Sequence, residues 1–312
     1  MTTTAGTTGS VSIVIPVLNA APFLPELFAA LLRQRPAPPA EIVLVDSGST
    51  DGTAEVARQC PLARVIPVPR FTHGGSRNLG IREARGEFVV LMTQDAVPKG
   101  DDWLRQLLAP FATPDVAAAF SRQQPRSDAT PMERFFLETH FPAQEMIYRL
   151  PAGRKGLLFQ KDVFLSNVSA ALRREIVLKY PFDETLIMSE DQQFARDVLL
   201  AGYAIVYAPS SVVTHSHNYT WSQAVRRYFD SVYSLTKIFP HHDLSASAGM
   251  GTSYLRREAA MMFRRRPFWL PRYAAYVLAK TLGTVLGHFA EQLPLWFVRR
   301  VSLHSAYWDK RH

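Results

Sequence analysis

Three carboxylates stand where an apolar run gives way to small, turn-forming residues, the placement that chemistry at the edge of a sheet requires. Asp46 follows Glu41-Ile42-Val43-Leu44-Val45 and precedes Ser47-Gly48-Ser49-Thr50-Asp51-Gly52-Thr53. Asp95 follows Leu91-Met92-Thr93-Gln94 and precedes Ala96-Val97-Pro98. Asp191 lies beside Glu190 at the start of a helical pattern that Gly202 stops. Two carboxylates on one rim repel unless a cation or a donor-rich ligand lies between them, so Asp46 and Asp95 together suggest a ligand site. Each residue also has a plain structural use: the run from Asp46 to Thr53 makes a tight turn with Asp51 capping the next helix, and Asp191 can cap its own.

Groups that could meet an anion stand nearby. Arg77 and Asn78 follow Gly74-Gly75, where backbone amides can approach a phosphate; the alternative is a helix start carrying a surface arginine. In His215-Ser216-His217, residues at i and i+2 of an extended segment point the same way. His215, nearer the strand end, is the better candidate for a metal or a diphosphate, against a hydrogen-bonded surface histidine.

Positioning these residues falls to alternating strands and helices. Val11 to Val17 is too short for a helix and rich in β-branched residues, and Pro22 to Leu32 has helical spacing. Glu41 to Val45, Arg64 to Val68 and Glu87 to Met92 continue the strands, with helices over Asp51 to Gln59 and Ser76 to Ala84. Continuously apolar strands between short helices predict an α/β, Rossmann-like, mostly parallel sheet covered on both faces, with ligands at the strand carboxyl ends. After Phe120 the rhythm breaks: residues 121–160 read as a lid or acceptor wall around a helix from Pro131 to Tyr148. A helix from Asp191 to Ala201, a strand from Tyr203 to Ala208 and a helix from Trp221 to Ile238 follow. Beyond Thr252 the pattern predicts two or three amphipathic helices broken at Pro267, Pro271 and Pro294.

Composition narrows the class. With 312 residues, 47% hydrophobic and 20% charged, the chain can bury a large core, and one cysteine, Cys60, excludes a disulfide scaffold. Residues 1–10 carry no side-chain charge and lack the basic region of a signal peptide, so export is not expected. A transmembrane helix is not expected either, because Arg272, Lys280, His288 and Glu291 interrupt the most apolar C-terminal stretch. The net charge of +8 lies wholly in residues 251–312, which hold 11 Lys and Arg against 3 Asp and Glu. There the basic residues alternate with Phe263, Phe268, Trp269, Tyr273, Trp296 and Trp308, a mixture suited to an anionic bilayer surface. The domains are therefore expected as a disordered N-terminus at 1–10, a catalytic domain at 11–250 and a basic helical extension at 251–312.

The series Ile13-Val14-Ile15-Pro16-Val17-Leu18-Asn19, Val45-Asp46-Ser47-Gly48-Ser49-Thr50-Asp51-Gly52-Thr53, Arg77-Asn78-Leu79-Gly80 and Ser189-Glu190-Asp191 resembles family 2 glycosyltransferases in order and separation, from Val11 to about Tyr228. The resemblance implies a GT-A fold, a nucleotide-sugar donor, a divalent cation (Mg²⁺ or Mn²⁺) and transfer with inversion. It makes Pro16, Asn19, Asp46, Ser47, Arg77, Asn78, Gln94 and Asp95 the donor site, with Asp95 and His215 toward the metal. It makes Asp191 the base, with Glu190 orienting it or holding the acceptor, and has Arg77 offset diphosphate charge. Thr93 stands where the family's DxD metal motif has its first Asp, which favours a cation held mainly through phosphates and water. Gln223-Ala224-Val225-Arg226-Arg227 resembles the QxxRW acceptor motif, with Arg227 replacing Trp.

Phe71-Thr72-His73-Gly74-Gly75-Ser76-Arg77-Asn78 with Thr93-Gln94-Asp95-Ala96 resembles the branch that contains bacterial rhamnosyltransferases of O-antigen, capsule and cell-wall polysaccharide. That implies dTDP-L-rhamnose as donor, a saccharide or lipid-linked saccharide as acceptor, and a cytoplasmic enzyme peripheral on the inner face of the cytoplasmic membrane. Self-association into a homo-oligomer is left open. Two rivals are weighed. A nucleotidyltransferase acting on sugar phosphates would need a Gly-rich loop with a following Lys near the first strand, which is absent. A basic protein that binds membrane or nucleic acid without catalysis would account for the tail, but no nucleic-acid recognition motif is present and no nucleic-acid partner is expected.

Overall fold

The computed structural model describes residues 9–37, 39–150, 158–239 and 244–310, so most of the expected N-terminal tail lies outside the described residues. Two compact units emerge, one drawn from Met1–Arg126, Leu137–Thr185 and Glu190–Ser216, the other from Ser127–Phe136, Leu186–Ser189 and His217–His312. Residues 251–312 thus share a unit with the helix at Trp221.

The chain opens with β1 (Val11–Val17), α1 (Leu24–Leu32), β2 (Glu41–Asp46), α2 (Thr53–Arg58), β3 (Ala63–Pro67), α3 (His73–Glu83) and β4 (Phe88–Met92). It continues with β5 (Val97–Pro98), α4 (Trp103–Leu108), β6 (Val116–Gln124), α5 (Pro131–His140), β7 (Met146–Tyr148), β8 (Ser169–Arg173), α6 (Arg174–Lys179), α7 (Glu190–Leu200) and β9 (Ala204–Thr214). Among the described residues the strands form one nine-stranded sheet in the order β3-β2-β1-β4-β8-β6-β9-β5, with β7 on β9. The β3-β2-β1-β4 half and the β6-β9 pair are parallel, while β8 runs antiparallel to β4 and β6. All five β4 residues are buried, as the run of apolar side chains requires of a strand covered on both faces. A Cβ at Gly80 of α3 would collide with the side chains of Val14 and Val45, so glycine lets this helix lie close on β1 and β2.

Three expectations are corrected. The helix from Pro131 ends at His140 rather than Tyr148, because Pro142 lacks an N–H and drives Phe141 out of helical geometry; Met146–Tyr148 becomes β7, antiparallel to β9. Helix α3 starts three residues early, since Thr72 caps it by accepting from the Gly75 N–H at 2.9 Å. Pro271 does not break the C-terminal helices: it sits in the first turn of its helix, where no N–H is needed.

The second unit contains α8 (Trp221–Ile238), α9 (Leu244–Arg265), α10 (Leu270–His288) and α11 (Leu295–Val301). On α10, Ala279, Gly283 and Gly287 are buried, and a Cβ at Gly283 or Gly287 would strike the carbonyl oxygen of Val225 or Phe229 on α8. Glycine at these two positions therefore sets the α8–α10 approach. Phe229, Tyr233, Val298 and Trp308 form one apolar cluster there, and Met132, Met262 and Tyr273 another. No described helix is long and apolar enough to cross a membrane.

Candidate active site

At the carboxyl ends of β1, β2 and β4 the loops are tied into one rim. The Gln94 side chain donates to the Leu18 carbonyl at 3.2 Å and accepts from its N–H at 2.9 Å, joining β4 to β1. Asn19, in the left-handed region at φ 51°, donates its N–H to Ser49 Oγ at 2.9 Å and accepts from the Thr50 N–H at 3.0 Å. Ser49 in turn donates its hydroxyl to Asp46 Oδ1 at 2.6 Å. Pro16 pairs with Val45 across β1 and β2, and the Ser47 N–H reaches the Val17 carbonyl at 3.0 Å. The turn residues between Val45 and Thr53 thereby hold Asp46 at the edge of the sheet, with Asp51 accepting from the Ala21 and Thr53 N–H groups.

Beside α3, Arg77 and Glu190 face each other in the interior, Nη1 to Oε1 at 3.1 Å, both side chains almost fully shielded. Arg77 also donates to the His73 carbonyl at 3.1 Å. The chain enters α7 through Ser189 at φ 63°, a conformation that costs a non-glycine residue energy and delivers Glu190 and Asp191 together. Burial works against charge on Glu190, but Arg77 and then His73 outweigh it and hold the carboxyl below its ordinary range. Burial first, and then the Glu190 carboxylate, push Asp191 up to about 7 against the opposing pull of Arg77. One carboxylate is thus fixed as an anion and its neighbour is poised to exchange a proton near neutrality.

A third cluster joins Asp95 to His215 at the end of β9. His215 Nε2 lies 3.6 Å from Asp95 Oδ2, and Nδ1 lies 3.0 Å from Gln123 Oε1. The Gln123 carbonyl can accept from Nδ1–H, the arrangement that would leave Nε2 to coordinate a cation lying between it and the carboxylate. A carboxylate oxygen and an imidazole nitrogen side by side suit a hard divalent cation that takes its other ligands from phosphate or water. The buried Thr93 Oγ1, with no hydrogen-bond partner among the described residues, leaves an oxygen donor two positions from Asp95. These residues fit Mg²⁺ or Mn²⁺.

The segment from Leu165 to Val168 links the clusters. Gln123 Nε2 donates to Ser166 Oγ at 2.9 Å, Asn167 Nδ2 donates to Glu190 Oε1 at 3.2 Å, and the Asn167 N–H points to Asp191 Oδ2 at 3.4 Å. Gln192 closes the loop on the Leu165 carbonyl at 2.6 Å, while the Thr93 N–H donates to the Val168 carbonyl at 3.2 Å. Sequence reading did not single out Gln123, Ser166, Asn167, Gln192 or His73. The one available signal was a polar Ser-Asn pair inside an apolar run.

Some expected ligand contacts are already occupied. Asn78 donates to the Phe182 carbonyl at 2.8 Å and accepts from the Phe182 N–H at 3.1 Å, so its amide clamps a loop. Gln94 spends its amide on Leu18, the Gly75 N–H is taken by Thr72, and Arg77 is engaged by Glu190. In the second unit Gln223 exchanges hydrogen bonds with Thr220 as a helix cap, and Arg227 lies 5.2 Å over the Tyr219 ring.

Residues 12–180 match the model of the family described as glycosyl transferase family 2. The chain is 31% identical over 304 residues to the O-antigen chain rhamnosyltransferase RfbN of Salmonella typhimurium, covering 96% of each chain. It is 32% identical over the same span and coverage to the O-antigen chain rhamnosyltransferase WbaN of Salmonella anatum. Among solved structures, the mannosyltransferase PcManGT of Pyrobaculum calidifontis, in complex with GDP-Man and Mn²⁺, shares the fold with a TM-score of 0.60 at 20% identity, over 89% of this chain and 87% of that one.

Proposed function

The chain belongs to glycosyl transferase family 2, and we propose that it is an inverting, metal-dependent rhamnosyltransferase that moves L-rhamnose from dTDP-L-rhamnose to a lipid-linked saccharide in bacterial surface polysaccharide synthesis. The similarity to two O-antigen chain rhamnosyltransferases along nearly the whole chain supports the donor and the setting. The observation that carries the mechanism is the buried Arg77–Glu190 pair with Asp191 raised beside it.

In this reading Asp191 takes the proton of the acceptor hydroxyl as that oxygen bonds to the anomeric carbon and the bond to the nucleotide diphosphate breaks, the electron pair leaving with the diphosphate. Glu190, kept ionised by Arg77, holds Asp191 near neutrality and orients the acceptor. Asp46 and the rim built by Asn19, Ser47 and Gln94 hold the nucleoside. Asp95 and His215 would hold Mg²⁺ or Mn²⁺, which when bound supplies positive charge for the leaving diphosphate. Residues 121–160 would wall the acceptor side; 151–157 of that stretch lie outside the described residues.

We place the enzyme on the anionic inner face of the cytoplasmic membrane. On α10, Leu278, Leu282 and Val285, with Phe289 at its C-cap, are exposed at helical spacing, opposite the buried glycines. Phe268 is 97% exposed beside the exposed run Arg264-Arg265-Arg266. An exposed apolar stripe and an exposed arginine run in one unit suit an anionic lipid surface.

The donor is tested by thermal shift with dTDP, UDP and GDP, each with and without Mg²⁺ or Mn²⁺, followed by a transfer assay with dTDP-L-rhamnose. The expected result is the largest stabilisation by dTDP, dependent on the cation. Stronger stabilisation by GDP would sink the rhamnosyl assignment and leave the glycosyltransferase standing.

A further inference from the structure

The helical unit has a pocket of its own, lined by Glu133, His217, Tyr219, Trp221, Arg272 and Tyr276. Glu133, Tyr219, Trp221, Arg272 and Tyr276 have no part in the transfer chemistry described above. We propose that this pocket is a saccharide subsite that grips the acceptor chain, with Trp221 as its stacking platform; as an acceptor subsite it rests on the glycosyltransferase reading.

The ring exposure comes first. Trp221 is 55% exposed although it is the first residue of α8, whose entry is fixed by the reciprocal Thr220–Gln223 cap. Its backbone is held while its ring stays open to solvent. The other rings are steadied by cations: Arg227 lies 5.2 Å over Tyr219, and Lys280 lies 5.3 Å over Tyr276 and 5.0 Å over Tyr228. Rings fixed before a ligand arrives lose little freedom on binding it.

The polar groups point to the same ligand class. Glu133 accepts from the His217 N–H at 3.5 Å, and Arg272 lies 5.1 Å over Trp269. A sugar ring offers an apolar C–H face, which stacks on an aromatic ring, and a rim of hydroxyls, which pair with a carboxylate or a guanidinium. One carboxylate and one guanidinium among aromatic rings suit a neutral saccharide better than a phosphate, which would favour several cations and no carboxylate. Burial pushes the Glu133 carboxyl up, against Arg227 and Lys280, so it can serve hydroxyls as donor or acceptor.

The test is saturation-transfer NMR of the full chain with the methyl glycosides of L-rhamnose, D-mannose and D-galactose and with a rhamnose-containing disaccharide. Wild type is compared with Trp221→Ala, Trp221→Phe and Glu133→Gln, and the dTDP thermal shift is read on the same samples. Trp221→Ala should weaken saccharide binding about tenfold and Trp221→Phe should restore most of it. Glu133→Gln should weaken it several-fold, with the dTDP shift unchanged in all three variants. In turnover assays KM for the acceptor should rise with kcat held. Saccharide binding that is absent in wild type, or equal in wild type and Trp221→Ala, overturns the pocket while a retained dTDP shift keeps the enzyme reading. Trp221-dependent saccharide binding without any dTDP shift would keep the pocket and remove the donor.

Discussion

In the sheet unit, Arg77 and Glu190 meet at 3.1 Å away from water, and Asn167 donates to the same carboxylate oxygen at 3.2 Å. In the helical unit, Arg264, Arg265 and Arg266 stand exposed beside the exposed Phe268, and no ion pair to any of the three is found among the described residues. Buried charge needs a partner placed to within a few tenths of an ångström, and it then fixes the protonation of everything nearby. Exposed charge needs no partner and loses most of its influence within a Debye length of about 8 Å at physiological salt. One unit thus confines its charge where it sets proton positions, and the other, in the function proposed above, turns its charge toward an extended surface.

The sharpest way to break this comparison is at Asp191. Asp191→Asn keeps the side-chain shape and cannot take a proton, so turnover should fall by about two to four orders of magnitude with the dTDP thermal shift retained. In wild type, activity should fall as pH drops through about 7, where Asp191 takes up its proton. Stability should move the other way. The folded-state value lies above the ordinary 3.8, so protonation favours the fold at low pH, and that contribution is lost as pH rises to about 7. Asp191→Asn should therefore melt higher than wild type at pH 8 and nearly level with it at pH 4. A wild-type turnover in Asp191→Asn would reduce the residue to a cap.

Next in size is the pair behind it. Arg77→Ala or Glu190→Gln leaves one buried group without its counter-charge, which costs about 3–5 kcal/mol and should appear as a loss of several degrees or more in Tm. Milder temperatures keep Arg77→Ala testable by activity. There the pH profile should shift upward, because Arg77 is the group that pulls Asp191 down. An unshifted profile would mean that the pair only packs.

At the Asp95–His215 cluster, Asp95→Asn should abolish the cation-dependent part of the dTDP thermal shift and spare the remainder, and His215→Gln should reduce it. In the helical unit, Gly287→Ala should lower Tm by an amount equivalent to about 1–3 kcal/mol, since the new methyl meets the Phe229 carbonyl. Loss of the nucleotide-dependent shift in that variant would show that the two units do not keep their tasks apart.

The sequence made some of this legible and hid the rest for physical reasons. The strand Val11–Val17, a short β-branched apolar run, and the helix Trp221–Ile238 are local features of the chain, and both are found where the sequence predicts them. Asp46 and Asp95 were visible because a carboxylate ending an apolar run marks the edge of a sheet. The link from His215 through Gln123 and Ser166 to Asn167 and Glu190 was not, because it joins residues separated by as many as 92 positions and leaves no period in the chain. Antiparallel β8 and the stop at Pro142 were missed because strand direction is a tertiary property and a single proline weighs little in a window average. Asn78 and Gln94 carried the family pattern, yet the structure spends their amides on the backbone.

The smallest effect lies on the exposed side of the comparison. The net charge of +8 sits in residues 251–312, and three of those charges are the consecutive, exposed arginines 264–266. Each contributes at most about 1 kcal/mol near an anionic surface, and salt reduces it. Replacing Arg264, Arg265 and Arg266 with Ser should therefore weaken co-sedimentation with anionic vesicles roughly tenfold or more at low salt and much less at high salt. Turnover on a short soluble acceptor should be unchanged, since none of the three belongs to the site. The apolar stripe separates two explanations of any remaining binding: Leu278→Ser with Leu282→Ser should remove attachment that survives high salt, because burial of side chains in the interface is not screened. Equal binding of wild type and the triple variant to neutral and anionic vesicles alike would assign the stripe to contact with protein instead of lipid.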